Sequence, residues 1–287
     1  SKTYKYEVGY LSEEGLPVSE TYGTDSKVQI TKSVLSAQLI RASVEAKLNY
    51  DYTSGKHQLS ASAVYRQDMK EPLENNASYY RQNVMGFVGY NYDNRYMVDV
   101  VGNYYGTSVL LKGDKFRFYP AVSAGWNLAN EDFLKGASNL DLLKLRASWG
   151  RSAVDELDYG LGNYFWTGGT GYPFGDGMTV VNGLKEQRLP VYGLNLETAD
   201  KYNVGVDLRL WKNFTVTAEV YYDHRTNILV ANNNVSGILG IDPPKACIGE
   251  VKSRGVELSL GWTGQHKDFN YFVNANWALN DLSLIHI

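Results

Sequence analysis

The side chains that could do chemistry gather between positions 151 and 200, where aromatic, acidic and glycine residues share one stretch. Tyr159, Tyr164, Phe165, Trp166 and Tyr172 present flat rings, and such rings hold sugars by covering their apolar C–H faces. Asp155, Glu156 and Asp158 offer the hard oxygens that calcium takes, yet in a glycine-rich segment they read more simply as a solvated acidic loop. Gly160-Leu161-Gly162 and Gly168-Gly169-Thr170-Gly171 resemble phosphate-cradling loops in glycine density alone. Neither sits between a strand and a helix, and neither carries the lysine that phosphate binding requires. The histidines His57, His224, His266 and His286 lie too far apart for metal-ligand spacing, and the single Cys247 supports neither an intrachain disulfide nor a thiolate cluster. No serine-centred elbow and no set of nucleophile, base and orienting group can be picked out, so an enzyme is not expected, and no cofactor either.

The elements that must position these residues are two-faced strands. In residues 269–280, Phe269, Tyr271, Val273, Ala275, Trp277 and Leu279 fall on one side and Asn270, Asn274, Asn276 and Asn280 on the other, the two-residue period of a β-strand. The same alternation predicts a hairpin of residues 39–52 with 57–67 about Thr53-Ser54-Gly55-Lys56, and one of 84–92 with 96–105 about Asp93-Asn94. Strands follow at 116–128 and 142–150, with a short helix expected within 130–135. Residues 204–211 pair with 214–223 about Lys212-Asn213, and 256–262 joins the final strand through 263–268. Ten strands are legible, with residues 3–10 a weaker eleventh.

Composition narrows the class. The 287 residues are 44% hydrophobic and contain 23 Tyr and 28 Gly against 7 Pro, which suits strands, aromatic belts and open loops better than helices. A formal charge of -3 gives no electrostatic reason to expect nucleic acid as a partner. No apolar run reaches the roughly 18 residues of a spanning helix, whereas a spanning strand needs only about 9 to 11. The chain opens Ser1-Lys2-Thr3 with neither an initiator Met nor a signal peptide, so the natural N-terminus is expected to lie elsewhere.

Connection lengths carry the architecture. The tight turns alternate with long loops at 68–83, 106–115, 151–200 and 224–249. In an up-and-down meander this places all the short turns on one rim and the long loops on the other, as in outer-membrane barrels. The connection 129–141 is long for its rim, which a helix at 131–135 would explain. Arg146, Asp207, Arg209, Glu219 and Glu257 all fall on the polar face, where a water-filled lumen accepts charge. The apolar sets carry no charge, consistent with the cost of about 2 to 4 kcal/mol for an Arg or Lys facing lipid near the midplane. Tyr90, Tyr92, Tyr96, Trp211, Trp262 and Tyr271 lie by the short turns, and Tyr104, Tyr222 and Trp277 near the other strand ends, like interfacial girdles. The expected fold is therefore all-β, an antiparallel meander forming part of a transmembrane barrel of which the chain supplies about 10 to 12 strands. A soluble sandwich shows the same alternation with inverted polarity, its apolar faces meeting across a dry interior.

Four segments resemble the SusC-like branch of the TonB-dependent outer-membrane transporters. They are Tyr90-Asn91-Tyr92-Asp93-Asn94-Arg95-Tyr96; Phe118-Tyr119-Pro120-Ala121-Val122-Ser123-Ala124-Gly125-Trp126 with Asn130-Glu131-Asp132-Phe133; Leu143-Lys144-Leu145-Arg146-Ala147-Ser148-Trp149-Gly150; and a third-quarter set. That last set runs Leu196-Glu197, Asn203-Val204-Gly205-Val206-Asp207, Glu219-Val220-Tyr221-Tyr222-Asp223 and Gly249-Glu250-Val251-Lys252-Ser253-Arg254-Gly255-Val256-Glu257-Leu258. Gly106-Thr107-Ser108 and Asn195-Leu196-Glu197 depart from the family pattern and concern loop chemistry, not the wall. The resemblance implies a multi-pass protein of the bacterial outer membrane that imports a bulky nutrient, an oligosaccharide or a peptide. It further implies energy from the TonB complex, contact with outer-membrane lipid, and a SusD-like surface lipoprotein over the external mouth. The family barrel has about 22 strands around a plug, so residues 1–287 are expected to be part of a barrel domain, with the plug and terminal strands absent. The tail 282–287 loses alternation and lacks the terminal aromatic of such barrels. Two further readings stay open: an autonomous small porin closed by its own strands, and a soluble carbohydrate-binding β-protein. Strand closure, and the direction of Val216, Leu258 and Val273, separate them.

Overall fold

The computed structural model describes residues 6–11, 17–22, 39–72, 78–158, 160–176, 179–232 and 243–285. Its main body is an antiparallel sheet of ten strands in which each pairs with its neighbours in chain order. These strands are β3 (Leu39–Ser54), β4 (His57–Pro72), β5 (Tyr79–Tyr92), β6 (Tyr96–Thr107), β7 (Phe116–Asn127), β8 (Leu140–Val154), β11 (Glu197–Leu210), β12 (Phe214–Ala231), β13 (Lys245–His266) and β14 (Phe269–Ile285). Two hairpins stand apart from it: β1 (Tyr6–Leu11) with β2 (Pro17–Tyr22), and β9 (Phe165–Phe174) with β10 (Thr179–Arg188). Of the weak strand expected at residues 3–10, residues 6–10 are strand in β1, which does not join the wall, and residues 3–5 lie outside the described residues.

Register shows why the alternation holds. One cross-strand row runs Tyr52, Leu59, Tyr90, Val98, Ala124, Ala147, Val204, Val220, Val256, Leu279, apolar at every position. The next row runs Asp51, Ser60, Gly89, Asp99, Ser123, Ser148, Asn203, Tyr221, Gly255, Asn280, small or polar throughout. A slip of one residue in any strand would exchange its two faces, so this register is strongly specified. Among the described residues nothing is packed on the apolar face, where Val204 is 59% exposed, Val273 63% and Leu279 61%, with Val216 and Leu258 half-exposed on the same face. The soluble reading needs these side chains sealed in a dry interior, and the described residues form none over this face. The small-porin reading needs closure, but β3 and β14 are the two open edges of the sheet.

The strands are tilted as a barrel requires. The Tyr92–Tyr96 turn lies in register with Trp126, Leu145 and Val206, while β11 runs on to Leu210 before its own turn. An offset of four residues over three strand steps corresponds to a tilt of about 40° at ordinary rise and spacing. On that slope the outward aromatics form two belts. Tyr96 and Tyr104, Trp126 and Phe118, Phe214 and Tyr222, Phe269 and Trp277 are each eight residues apart on one strand. Eight residues rise about 20 Å along the membrane normal at that tilt, close to the roughly 25 Å of a barrel's apolar band.

Turn chemistry differs from expectation in detail. Gly55 takes φ +58°, and Asp93 and Asn94 are both left-handed, as tight hairpins of this twist require. At the next short turn the left-handed pair is Trp211 and Lys212, one position earlier than expected. The last ladder extends to His266 opposite Phe269, so the turn is only Lys267-Asp268 and not 263–268. The helix expected at 130–135 is instead a 3-10 turn at Leu128–Asn130 followed by turns, one of them closed by the Lys135 N–H donating to the Glu131 carbonyl. Glu131 draws the segment back to the sheet, accepting from the Trp126 indole at 2.9 Å and pairing with Arg95 at 3.5 Å, and Gly136 follows before the segment can grow. On the opposite rim the strands reach well into the expected loops: β4 to Pro72, β12 to Ala231 and β13 from Lys245.

Candidate functional site at the long-loop mouth

The buried core of this protein lies at the long-loop end, not between sheets. Leu110, Leu161, Val191, Leu194 and Leu196 cluster there, with Tyr105, Ala153, Leu157, Leu229 and Cys247 packed around them. Burying several aliphatic side chains at about 1.5 to 3 kcal/mol each is enough to fix an otherwise irregular connection. The segment between β8 and β11 is thereby held against the wall. Its backbone is tied by the Val191 N–H donating to Leu161 at 2.8 Å, and the Arg188 guanidinium donates to the Gly160 carbonyl at 3.0 Å.

Asp155 is the second anchor. Arg81, on the polar face of β5, donates to its two oxygens at 2.6 and 2.7 Å, and the Tyr105 hydroxyl donates as well. Arg81 and Tyr105 share the parity of Asn83 and Asn103, so the connection is fastened to the lumen side of the wall. This accounts for Asp155 differently from a solvated acidic loop or a calcium ligand: its carboxylate is occupied by protein partners and is only 12% exposed. Among the described residues no group of three or more His, Cys, Asp or Glu is placed to hold a metal.

Of the predicted aromatics, Phe165, Trp166 and Tyr172 are carried on the β9–β10 hairpin, which was expected to be loop, and Tyr164 stands just before it. Phe165 lies beside the Arg188 guanidinium, 5.7 Å from ring centre, and Tyr164 shares a hydroxyl contact of 3.0 Å with Tyr192. That hydrogen bond to Tyr192 raises the Tyr164 phenol above its ordinary value. Trp166 and Tyr172 are 54% and 66% exposed. They face opposite ways, because a bulge at Gly169-Thr170 opposite Gly183 reverses parity between them. Tyr172 stands with Phe174 in an edge contact at 5.2 Å and with Val181; Trp166 shares the other face with Leu184. Tyr159 lies outside the described residues. Tyr192 and Phe174 were missed from sequence although they are exposed beside the predicted set; the β-branched run Thr179-Val180-Val181 was the available clue to the hairpin.

Below the mouth the polar face carries a charge network. Arg146 donates to Asp207 at 3.1 Å, to Asn203 at 3.4 Å and to Glu219; Asn203 donates to Glu219 at 2.9 Å and Thr217 to Asp207 at 3.2 Å. Of the five charged residues expected on this face, the structure joins Arg146, Asp207 and Glu219, while Glu257 stands directly across from Glu219 on β13 and Arg209 shares the face further along β11. The arrangement suits a wet, polar-walled passage.

Comparison with known proteins agrees with this geometry. The family described as "TonB dependent receptor-like, beta-barrel" matches residues 19–284. TonB-dependent receptor P26 of Formosa agariphila is 28% identical over 198 residues, 67% of this chain and 19% of that protein. TonB-dependent receptor SusC of Bacteroides thetaiotaomicron is 26% identical over 215 residues, 69% of this chain and 20% of that protein. The chain thus spans about a fifth of the curated relatives it matches. Among solved structures, the RagAB peptide importer in its "closed-closed" state superposes with a TM-score of 0.75 at 18% identity, covering 86% of this chain and 30% of that one. The siderophore receptor PirA of Pseudomonas aeruginosa does so with a TM-score of 0.56 at 14% identity, covering 86% and 45%. An open meander with a lipid-ready outer face, a charged inner face and loops anchored at one mouth is what such a barrel wall looks like in part, and this chain belongs to the TonB-dependent receptor family.

Proposed function

We propose that residues 1–287 form part of the barrel wall of an importer in the bacterial outer membrane, with the plug and the remaining strands supplied by further sequence. The protein takes up a bulky nutrient, an oligosaccharide or a peptide, with energy relayed by the TonB complex through the plug. A SusD-like surface lipoprotein closes the mouth. The observation that carries this reading is the anchored β8–β11 connection, which holds exposed aromatics above a polar-walled interior. Tyr164, Phe165, Trp166 and Tyr172, together with Tyr159, are the proposed substrate contacts, and the barrel needs no catalytic group.

The test is uptake and binding by the complete transporter carrying this segment, with labelled oligosaccharides and labelled peptides compared side by side. Replacing Trp166 and Tyr172 by Ala is expected to weaken binding of the true cargo about tenfold, the scale of one or two aromatic contacts. Unchanged binding of every cargo that the parent imports would remove these side chains from the site.

A further inference from the structure

The wall contains a slot. The β7–β8 ladder runs from Asn127 opposite Lys144 only as far as Ala121 opposite Gly150. Beyond it, β7 stays paired with β6 to Phe116, and β8 stays paired with β11 to Val154. Residues 116–120 and 151–154 therefore flank a gap between two strands that are each held firmly on their other side. Pro120 stands where the ladder stops, and a proline has no N–H with which to continue it.

The slot opens at the height of the upper aromatic belt. Phe118 on its β7 side is 58% exposed on the outward face, eight residues above Trp126, and Trp149 lies just below it on β8. A cavity of about 240 Å³ occupies the slot, lined by Phe118, Arg151, Asn195, Thr198, Asp200 and Thr226 among others. Its guanidinia are already neutralised: Arg151 donates to both oxygens of Asp200 at 2.8 and 2.9 Å, and Arg117 donates to Asp114 at 3.2 Å. Backbone groups left without a strand partner at membrane depth must meet something polar. What fits is a neutral group rich in hydroxyls, able to donate and accept at once against a planar Arg–Asp pair, threonines and an amide, with one apolar face toward Phe118.

We infer that this slot seats the saccharide headgroup of a glycolipid from the external leaflet. The inference rests on the membrane reading above and concerns the outer wall, not the import passage. Its place at the upper aromatic belt, bordering the apolar band, selects a lipid-borne sugar over a dissolved one, because the acyl chains then lie along Val122, Phe118 and Tyr104 on the same face.

The complete transporter is reconstituted in nanodiscs of phosphatidylethanolamine, with or without a neutral glycolipid, and amide exchange is followed at residues 116–120 and 151–154. Resistance of the folded barrel to detergent denaturation is scored first. Failure to insert sinks the membrane reading itself, whereas an inserted barrel with no glycolipid effect sinks the slot alone. Glycolipid is expected to slow exchange in these segments about tenfold and to remain bound in native mass spectra. Pro120→Val, which restores the missing N–H, and Arg151→Met, which breaks the pair with Asp200, are each expected to lose that retention in a barrel that still inserts. Equal protection in phosphatidylethanolamine alone means water or any lipid fills the slot, and protection by the free sugar alone makes it a cargo subsite; either result overturns the proposal.

Discussion

Individual residues here do two kinds of work, setting turn geometry and tying loops to the wall. Lys212 holds φ at +62° in the turn after β11, a conformation that costs a side chain with a Cβ about 1 to 2 kcal/mol. Lys212→Gly is expected to stabilise the barrel by a little under 1 kcal/mol after its added chain entropy, read as a shift in the urea midpoint. Asp155 is the opposite case, a carboxylate whose partners define it. Because Arg81 remains 43% exposed, solvent screens the pair, and Arg81→Ala is expected to cost about 1 kcal/mol. The visible consequence is local: protease cuts the β8–β11 connection faster while the rest of the wall stays protected. Equal cleavage in both proteins would show that the aliphatic cluster alone holds the connection.

Elements succeed or fail by face. On the outward row, Val220→Lys places a charge in the apolar band and is expected to cost about 2 to 4 kcal/mol, enough to depress assembly into membrane. Ser148→Lys, one position over on the lumen row, is expected to assemble normally, and the pair is read by the heat-modifiable migration of folded barrels. The short-turn rim has its own pH dependence. The Lys56 ammonium holds the Asp93 carboxyl below its ordinary value, and hydrogen bonding from the Trp126 indole does the same for Glu131. A carboxyl depressed by folding contributes its stability fully above the ordinary value near 4 and loses it as pH falls through the lowered one. Titrating from pH 7 to pH 3 is thus expected to weaken this rim progressively at the acid end, and Glu131→Gln to remove part of that acid-side loss.

At the scale of the molecule the governing fact is two unpaired edges. β3 and β14 expose rows of backbone N–H and C=O groups, each costing several kcal/mol in hydrocarbon. The chain by itself is therefore expected to give no stable stepwise conductance in a planar bilayer. Regular conductance steps from the isolated chain would mean that its own strands close. β14 continues to Ile285, but Leu282 and Leu284 stand on the same face as Asn280, so the apolar side changes face at the end of this strand.

Alternation of side-chain type determined most of the wall, because a strand with lipid on one side and water on the other writes both solvents into a two-residue period. Ten strands and their faces follow from that period, and their meander order from the alternation of short and long connections, as the row from Tyr52 to Leu279 shows. Tertiary structure decided what periodicity cannot express. The β9–β10 hairpin was obscured by its glycines and by a bulge that splits Trp166 from Tyr172, and the anchoring of Asp155 by Arg81 joins residues 74 positions apart. The slot beside Pro120 belongs to the same class: the proline is visible in the chain, but whether a neighbouring strand is lost there depends on what lies across from it in space.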